Sequence, residues 1–178
     1  MKTVFVVGTK NSGKTTLAEF IVLKLTERGF KVAALKHIHH EFTLDSAGKD
    51  TYRMKKAGAK EVVSFSPSEI AILRSPGDAD EEFRRLSEGL TVDGFDYLVI
   101  EGFKILSGGI SRSFRILTCK TMEELTSLVP TMLPNLDCIS GIVASSFEGK
   151  DFDGVPVLRF PDDGLALISR LTGAQSGA

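Results

Sequence analysis

The sequence predicts a doubly wound α/β domain with a mainly parallel sheet and an antiparallel hairpin extension, on three observations. Short β-branched, apolar runs alternate along the chain with stretches of helical periodicity, the signature of βαβ units around a parallel sheet. The first such run passes straight into a glycine-bearing turn and then into a helix, which places ligand-binding backbone at the C-terminal edge of the sheet. Two further runs, Glu61–Phe65 and Ile70–Leu73, flank Ser66-Pro67-Ser68 and read as a hairpin, an addition common at the edge of such sheets. At 178 residues the chain can bury one core, so a single domain over 1–172 with a frayed tail over 173–178 is expected.

The elements follow in order. Thr3–Val7 is a short, β-branched and apolar run, as a buried parallel strand should be. Lys14–Arg28 is a helix ending at Gly29, with Leu17, Phe20, Ile21 and Leu25 as its apolar stripe. Lys31–Lys36 is a second strand, opening into a polar loop from His37 to Asp45, and Gly48–Gly58 reads as a short helix. After the hairpin, Ser75-Pro76-Gly77 breaks the chain, and Asp78 with Glu81 forms a capping box for a helix burying Phe83 and Leu86. Phe95–Glu101 is another buried strand, Ser107–Ser113 a loose glycine- and serine-bearing loop, and Phe114–Thr118 a strand. Thr121 and Glu124 form a second capping box before Leu125, Leu128 and Val129, and Pro130 is expected to end that helix. Cys138–Ala144 and Val155–Leu158 read as the last strands, and Asp162 as the cap of a final helix with Leu165, Ile168 and Leu171 inward.

The chemistry concentrates in Gly8-Thr9-Lys10-Asn11-Ser12-Gly13-Lys14-Thr15, which fits G-x-x-x-x-G-K-[ST] without a mismatch. Strand, turn and helix stand in register around it, which disfavours a chance match in a glycine-rich turn. Gly8 and Gly13 allow the backbone N–H groups to close on a polyphosphate, and the helix N-terminus adds unpaired donors. The domain is therefore expected to be of the P-loop nucleoside triphosphatase type, with Gly8 through Thr16 contacting nucleotide. Lys14 would face the terminal phosphates, and Thr15 would ligate magnesium. Glu101 closes an apolar strand where such proteins keep an acid for the metal, usually Asp. Lys14, Glu101 and Asp45 are the catalytic candidates. Asp45 and Asp50 read equally well as capping or solvated residues, and Asp96 as structural, since it starts its strand at the far end from the site.

His37, His39 and His40 are the only histidines and lie within four residues. They suit contact with an anionic ligand, acid–base work or simple loop hydrogen bonds. A zinc site is disfavoured because no cysteine is near to complete four ligands. Arg112 and Arg115 read as solvated arginines in preference to a phosphate clamp. Lys10 does not hold the position of the extra lysine in dimeric variants of this loop, where Thr9 stands. No N-K-x-D stretch marks guanine. Thr118-Cys119-Lys120-Thr121 lacks the Asp, and Ser145 and Ser146 stand where a base-contacting loop is conceivable. With a net charge of −1 a broad nucleic-acid or membrane footprint is not expected. Two separated cysteines, Cys119 and Cys138, and no long apolar run point to a reduced cytoplasmic setting.

Several stretches together resemble the molybdopterin-guanine dinucleotide biosynthesis protein B family: Gly8–Leu17, Lys36–Asp45, Gly48–Arg53, Ala57-Gly58-Ala59 and Glu101–Lys104. The loop is shared by many proteins; the Lys36-His37 stretch followed by the other three is much more specific. Beyond Lys104 the match weakens, because Ser107–Arg115 is not the basic segment expected there. The resemblance implies a homodimeric GTP-binding protein, with weak GTPase activity and Mg2+, that assists attachment of GMP to molybdopterin alongside a guanylyltransferase. It implies that Gly13, Lys14 and Thr15 hold phosphates and magnesium, that Glu101 is the acid, and that His37, His39 and His40 contact substrate or pterin. The alternatives are a small-molecule kinase, for which Ser107–Arg115 is the only candidate lid, and a nucleotide-gated adaptor without catalysis.

Overall fold

The computed structural model describes residues 1–38, 40, 42–43, 45–102, 113–133 and 135–173. The elements in chain order are β1 (Lys2–Gly8), α1 (Lys14–Glu27), β2 (Val32–Lys36), α2 (Asp50–Lys56), β3 (Glu61–Phe65), β4 (Ile70–Arg74), α3 (Ala79–Val92), β5 (Tyr97–Glu101) and β6 (Ser113–Thr118). They continue with α4 (Met122–Met132), β7 (Cys138–Ser140), α5 (Ile142–Ser146), β8 (Asp151–Phe152), β9 (Val155–Pro156) and α6 (Gly164–Thr172). Among the described residues no helix is long and apolar enough to cross a membrane. The chain forms two compact units, one of Met1–His37 with Ser87 onward and one of Ile38–Leu86.

The first unit carries a parallel sheet in the order β2-β5-β1-β6-β7. β1 is central because it is apolar on both faces: Val4, Phe5 and Val6 have no exposed surface and Val7 is 1% exposed. Alternation sends Val4, Val6, Tyr97, Val99, Phe114 and Ile116 into one cluster with Leu17, Ile21 and Leu25 of α1 and Leu167, Ile168 and Leu171 of α6. The intervening residues Phe5, Leu98, Ile100, Leu117 and Ile139 are buried as well. Ladder register then fixes the site edge. Lys36 pairs with Glu101, Val6 pairs with Glu101, and Gly8 pairs with Thr118, so β1 and β6 run two residues beyond β2 and β5 at the same C-terminal edge. Asp96 plays the structural part expected of it, its carboxylate accepting the Lys31 N–H at 2.8 Å.

The second unit holds α2, the β3–β4 hairpin and the start of α3. Ser66 shapes the hairpin turn, its Oγ accepting from the Glu69 N–H at 3.0 Å. The cross-strand pairs Val63–Ile72 and Phe65–Ile70 share an exposed face, while Val62 is buried. Asp78 caps α3 as expected, its Oδ1 accepting from the N–H groups of Asp80 and Glu81.

Five expectations are corrected. Leu86, expected on the buried face of α3, is 39% exposed. α4 runs through Pro130 to Met132. The ring removes one hydrogen bond, but Met132 is 9% exposed, and its burial draws the last turn inward. The strand expected over 138–144 stops at Ser140; Gly141, at φ 83°, turns the chain into the short α5, which contains Ser145 and Ser146. The residue at the N-cap of α6 is Asp163, not Asp162, and its carboxylate accepts from the Arg159 N–H at 2.8 Å. Leu165 is 64% exposed and Leu167 takes the inward position. The loop expected over Ser107–Ser113 lies outside the described residues up to Ser113, which begins β6, and the tail lies outside them beyond Gly173.

Candidate functional site

The turn after β1 is held from below. Gly8, at φ 149°, runs so close to β6 that a Cβ there would stand 1.9 Å from Thr118 O. Ser12 is fully buried, its Oγ 2.8 Å from Thr9 O and 2.6 Å from Thr118 Oγ1, hydrogen-bonded to both. The Ile142 N–H donates to Ser12 O at 3.3 Å, and Gly141 packs against the same carbonyl, where a Cβ would come within 2.4 Å. Thr118 at the end of β6, with Gly141 and Ile142 after β7, therefore hold the shape of the loop. Asn11 at φ 59° and Gly13 at φ 95° complete the bend, and α1 starts at Lys14 with its first-turn N–H groups lacking intrahelical acceptors, as at any helix start.

Above this cradle lies a cavity of about 460 Å³, lined by Lys10 through Thr16 together with Lys36, Glu101 and Ile142. Lys14 Nζ donates to Thr9 O, which folds the ammonium over the loop. Burial pushes the Lys14 ammonium below the ordinary lysine value, opposed by the Glu101 carboxylate and reinforced by the Lys36 charge. Thr15 Oγ1 donates to Glu101 Oε2 at 2.9 Å, and Lys36 Nζ lies 3.3 Å from that same oxygen. Hydroxyl and carboxylate oxygens side by side are the hard donors that Mg2+ prefers, so this pair fits the metal that the motif implies. At the loop's other side, Thr9 Oγ1 donates to Glu124 Oε2 at 2.8 Å, and that oxygen also accepts the Lys120 N–H at 2.8 Å. The Lys120 N–H, with help from the Thr9 hydroxyl and against burial, holds the Glu124 carboxyl below the ordinary glutamate value.

The first unit thus brings together Gly8 through Thr16 and Glu101. His37 sits beside Glu101, its N–H donating to the Glu101 carbonyl at 2.9 Å. Asp45 and His40 belong to the second unit. Asp45 Oδ1 accepts from Thr51 Oγ1 at 2.8 Å and from the Ser46 N–H at 3.0 Å, a turn that precedes α2, and His40 is exposed. His39 and Arg112 lie outside the described residues. Arg115 is corrected: it is 8% exposed, not solvated, and its backbone N–H bonds Asp137 Oδ2 at 2.7 Å. Cys119 and Cys138 are both buried and not joined in a disulfide, and burial pushes the Cys138 thiol far above its usual value.

Lys36, Thr118, Glu124 and Gly141 are site residues that the sequence reading missed. Lys36 read as an ordinary strand end and Glu124 as half of a capping box, and nothing local in the sequence signals which residues of β6 and β7 lie under the loop.

Comparison with known proteins follows the same stretches. The sequence profile of the family described as Molybdopterin guanine dinucleotide synthesis protein B matches residues 3–132. The chain is 33% identical over 94 residues to the molybdopterin-guanine dinucleotide biosynthesis adapter protein of Escherichia coli K12, covering 52% of this chain and 54% of that one. It is 40% identical over 101 residues to the probable adapter protein of the same description from Bacillus subtilis 168, covering 56% and 57%. The matched stretch thus spans about half the length of the curated relatives. Over the whole fold, the crystal structure of Bacillus subtilis MobB superimposes with a TM-score of 0.72 at 27% identity, covering 99% of this chain and 100% of that one. The MobB homolog of Bacillus stearothermophilus shares the fold, with a TM-score of 0.67 at 24% identity over 97% of each chain.

Proposed function

The chain belongs to the molybdopterin guanine dinucleotide synthesis protein B family, and from that premise we propose that it binds GTP with Mg2+ as an adapter in molybdopterin guanine dinucleotide formation. The observation that carries this reading is the joint placement of Lys14, the Thr15–Glu101 pair and the pinned loop around one cavity. The loop N–H groups and Lys14 bind the phosphates, and Thr15 with Glu101 holds Mg2+. When bound, the metal neutralises charge on the terminal phosphates. Hydrolysis by this set is taken as slow, as the resemblance to the family implies, since arginines aimed at the phosphates are what accelerate such transfers. We assign His37, whose backbone N–H is held by the Glu101 carbonyl, to contact with a pterin or its phosphate, as the resemblance implies for this histidine cluster. The working unit is a homodimer that serves a guanylyltransferase, a role supported by the word adapter in the names of its relatives.

Calorimetric titration of the full chain with GTP and with ATP, each with Mg2+, tests the proposal. GTP binding at one site per chain, with ATP clearly weaker, is expected. Binding of neither nucleotide, or of ATP alone, would end it.

Glu124 offers a finer check. Replacing it with Ala frees the Thr9 hydroxyl and is expected to weaken GTP binding about three- to tenfold, the worth of one ordinary hydrogen bond, since the tether acts on the loop and not on the nucleotide. Because the folded-state carboxyl titrates below the ordinary glutamate value, its tether is complete above that ordinary value. It is lost as pH falls through the lowered one. GTP affinity should therefore drop on acidification more steeply in the native chain than in Glu124→Ala, as read by fluorescent-nucleotide titration at a series of pH values.

A further inference from the structure

Lys36 and Glu101 end neighbouring parallel strands and are partners in the ladder, so their side chains leave the sheet at the same level and on the same side. The Glu101 side chain is only 14% exposed, whereas that of Lys36 is 59% exposed. A carboxylate so withdrawn from water needs a counter-charge, and the Lys36 ammonium supplies one at 3.3 Å. The oxygen it contacts is Oε2, which also accepts from Thr15. The ammonium and a metal ion held by Thr15 and Glu101 would therefore compete for one carboxylate. Binding of the metal would be opposed by the ammonium, because like charges held at one carboxylate repel each other. The Lys36 charge is also felt by Lys14, whose ammonium it helps to lower, which places both lysines at one cavity.

The geometry points to Lys36 as a tethered counter-cation that holds the metal's place on Glu101 while the site is empty and is displaced when the divalent ion binds. This inference rests on the proposed function and deepens it: a residue of the chain, in competition with the metal, sets the metal affinity of the site. The solvated stem of Lys36 can swing aside without breaking packing. Glu101 and Thr15 stay preorganised in the empty protein, and metal binding carries the cost of releasing the lysine.

Titration of Mn2+ into the full chain saturated with GDP, read from the paramagnetic resonance of free Mn2+ and corrected for nucleotide alone, tests this. Lys36→Met should bind Mn2+ about two- to fivefold more tightly than the native chain, the range for losing a partly exposed ion pair. Lys36→Arg, which keeps the charge, should stay close to the native value. Unchanged or weaker Mn2+ binding in Lys36→Met would overturn the inference, the weaker result making Lys36 a phosphate contact instead. If the native chain bound no GDP, the nucleotide reading would fall together with this one. GDP binding with indifferent Mn2+ affinity would remove only the role of Lys36. Thermal unfolding of each variant, expected within about 4 °C of the native chain because the ion pair is partly exposed, confirms that the comparison is between folded proteins.

Discussion

Gly8→Ala is expected to destabilise the protein by about 3–5 kcal/mol, the sum of a left-handed backbone forced on a residue with a Cβ and an overlap with packed main chain. The two causes act at one atom. At φ 149° the residue lies where side chains are rarely tolerated, and the added carbon would stand 1.9 Å from Thr118 O and 2.5 Å from Thr118 Oγ1. Thr118 cannot retreat. Its Oγ1 contacts Ser12 Oγ at 2.6 Å, and β6 on which it sits is paired on both sides, to β1 and to β7. The strands must part or the loop must refold, and either outcome removes buried contacts of β1. A domain with total stability of about 5–15 kcal/mol would be left marginal. Urea unfolding followed by circular dichroism measures the effect, with Phe5 and Val6 reporting on β1 through amide exchange. A cost below about 1 kcal/mol would mean that the approach of β1 to Thr118 is looser than described.

The parts of this architecture legible in the sequence are those with local physical causes. β1 declares itself by its apolar run from Val4 to Val7, α1 by its stripe of Leu17, Ile21 and Leu25, and the loop by its glycine spacing and the following Lys14 and Thr15. The errors arise where a distant contact overrides a local preference. Pro130 is a helix breaker by propensity, yet Met132 is buried and carries the helix two residues further. Residues 138–144 look like one apolar strand, but Gly141 must turn there to lie against Ser12 O. Arg115 reads as a surface cation because nothing near it in sequence is acidic. Its backbone partner, Asp137, lies 22 residues away. The site follows the same division. Thr15 and Glu101 are readable because a motif and a strand end mark them. Lys36 and Glu124 reach the loop only through strand order and the start of α4, which no spacing encodes.

Lys14→Ala should lower affinity for magnesium-GTP about ten- to a hundredfold, the effect of removing a charged hydrogen-bond donor from the terminal phosphates, while leaving the fold in place. Without ligand, Lys14 Nζ donates to Thr9 O at the cavity surface, a contact that water can replace, so the melting temperature should move little. Proton linkage gives the prediction a second and independent reading. Burial lowers the Lys14 ammonium from its usual value in the empty site, and polyphosphate oxygens beside it would raise that value again. Between those two values GTP binding takes up a proton, so affinity falls as pH rises through the lowered value and levels off beyond the raised one. The Ala variant, having no ammonium, should lack this alkaline fall. Calorimetry in two buffers of different ionisation enthalpy measures the proton uptake directly. Equal uptake in native and Lys14→Ala chains would detach Lys14 from the phosphates, whereas its loss in the variant ties the affinity change to that one ammonium.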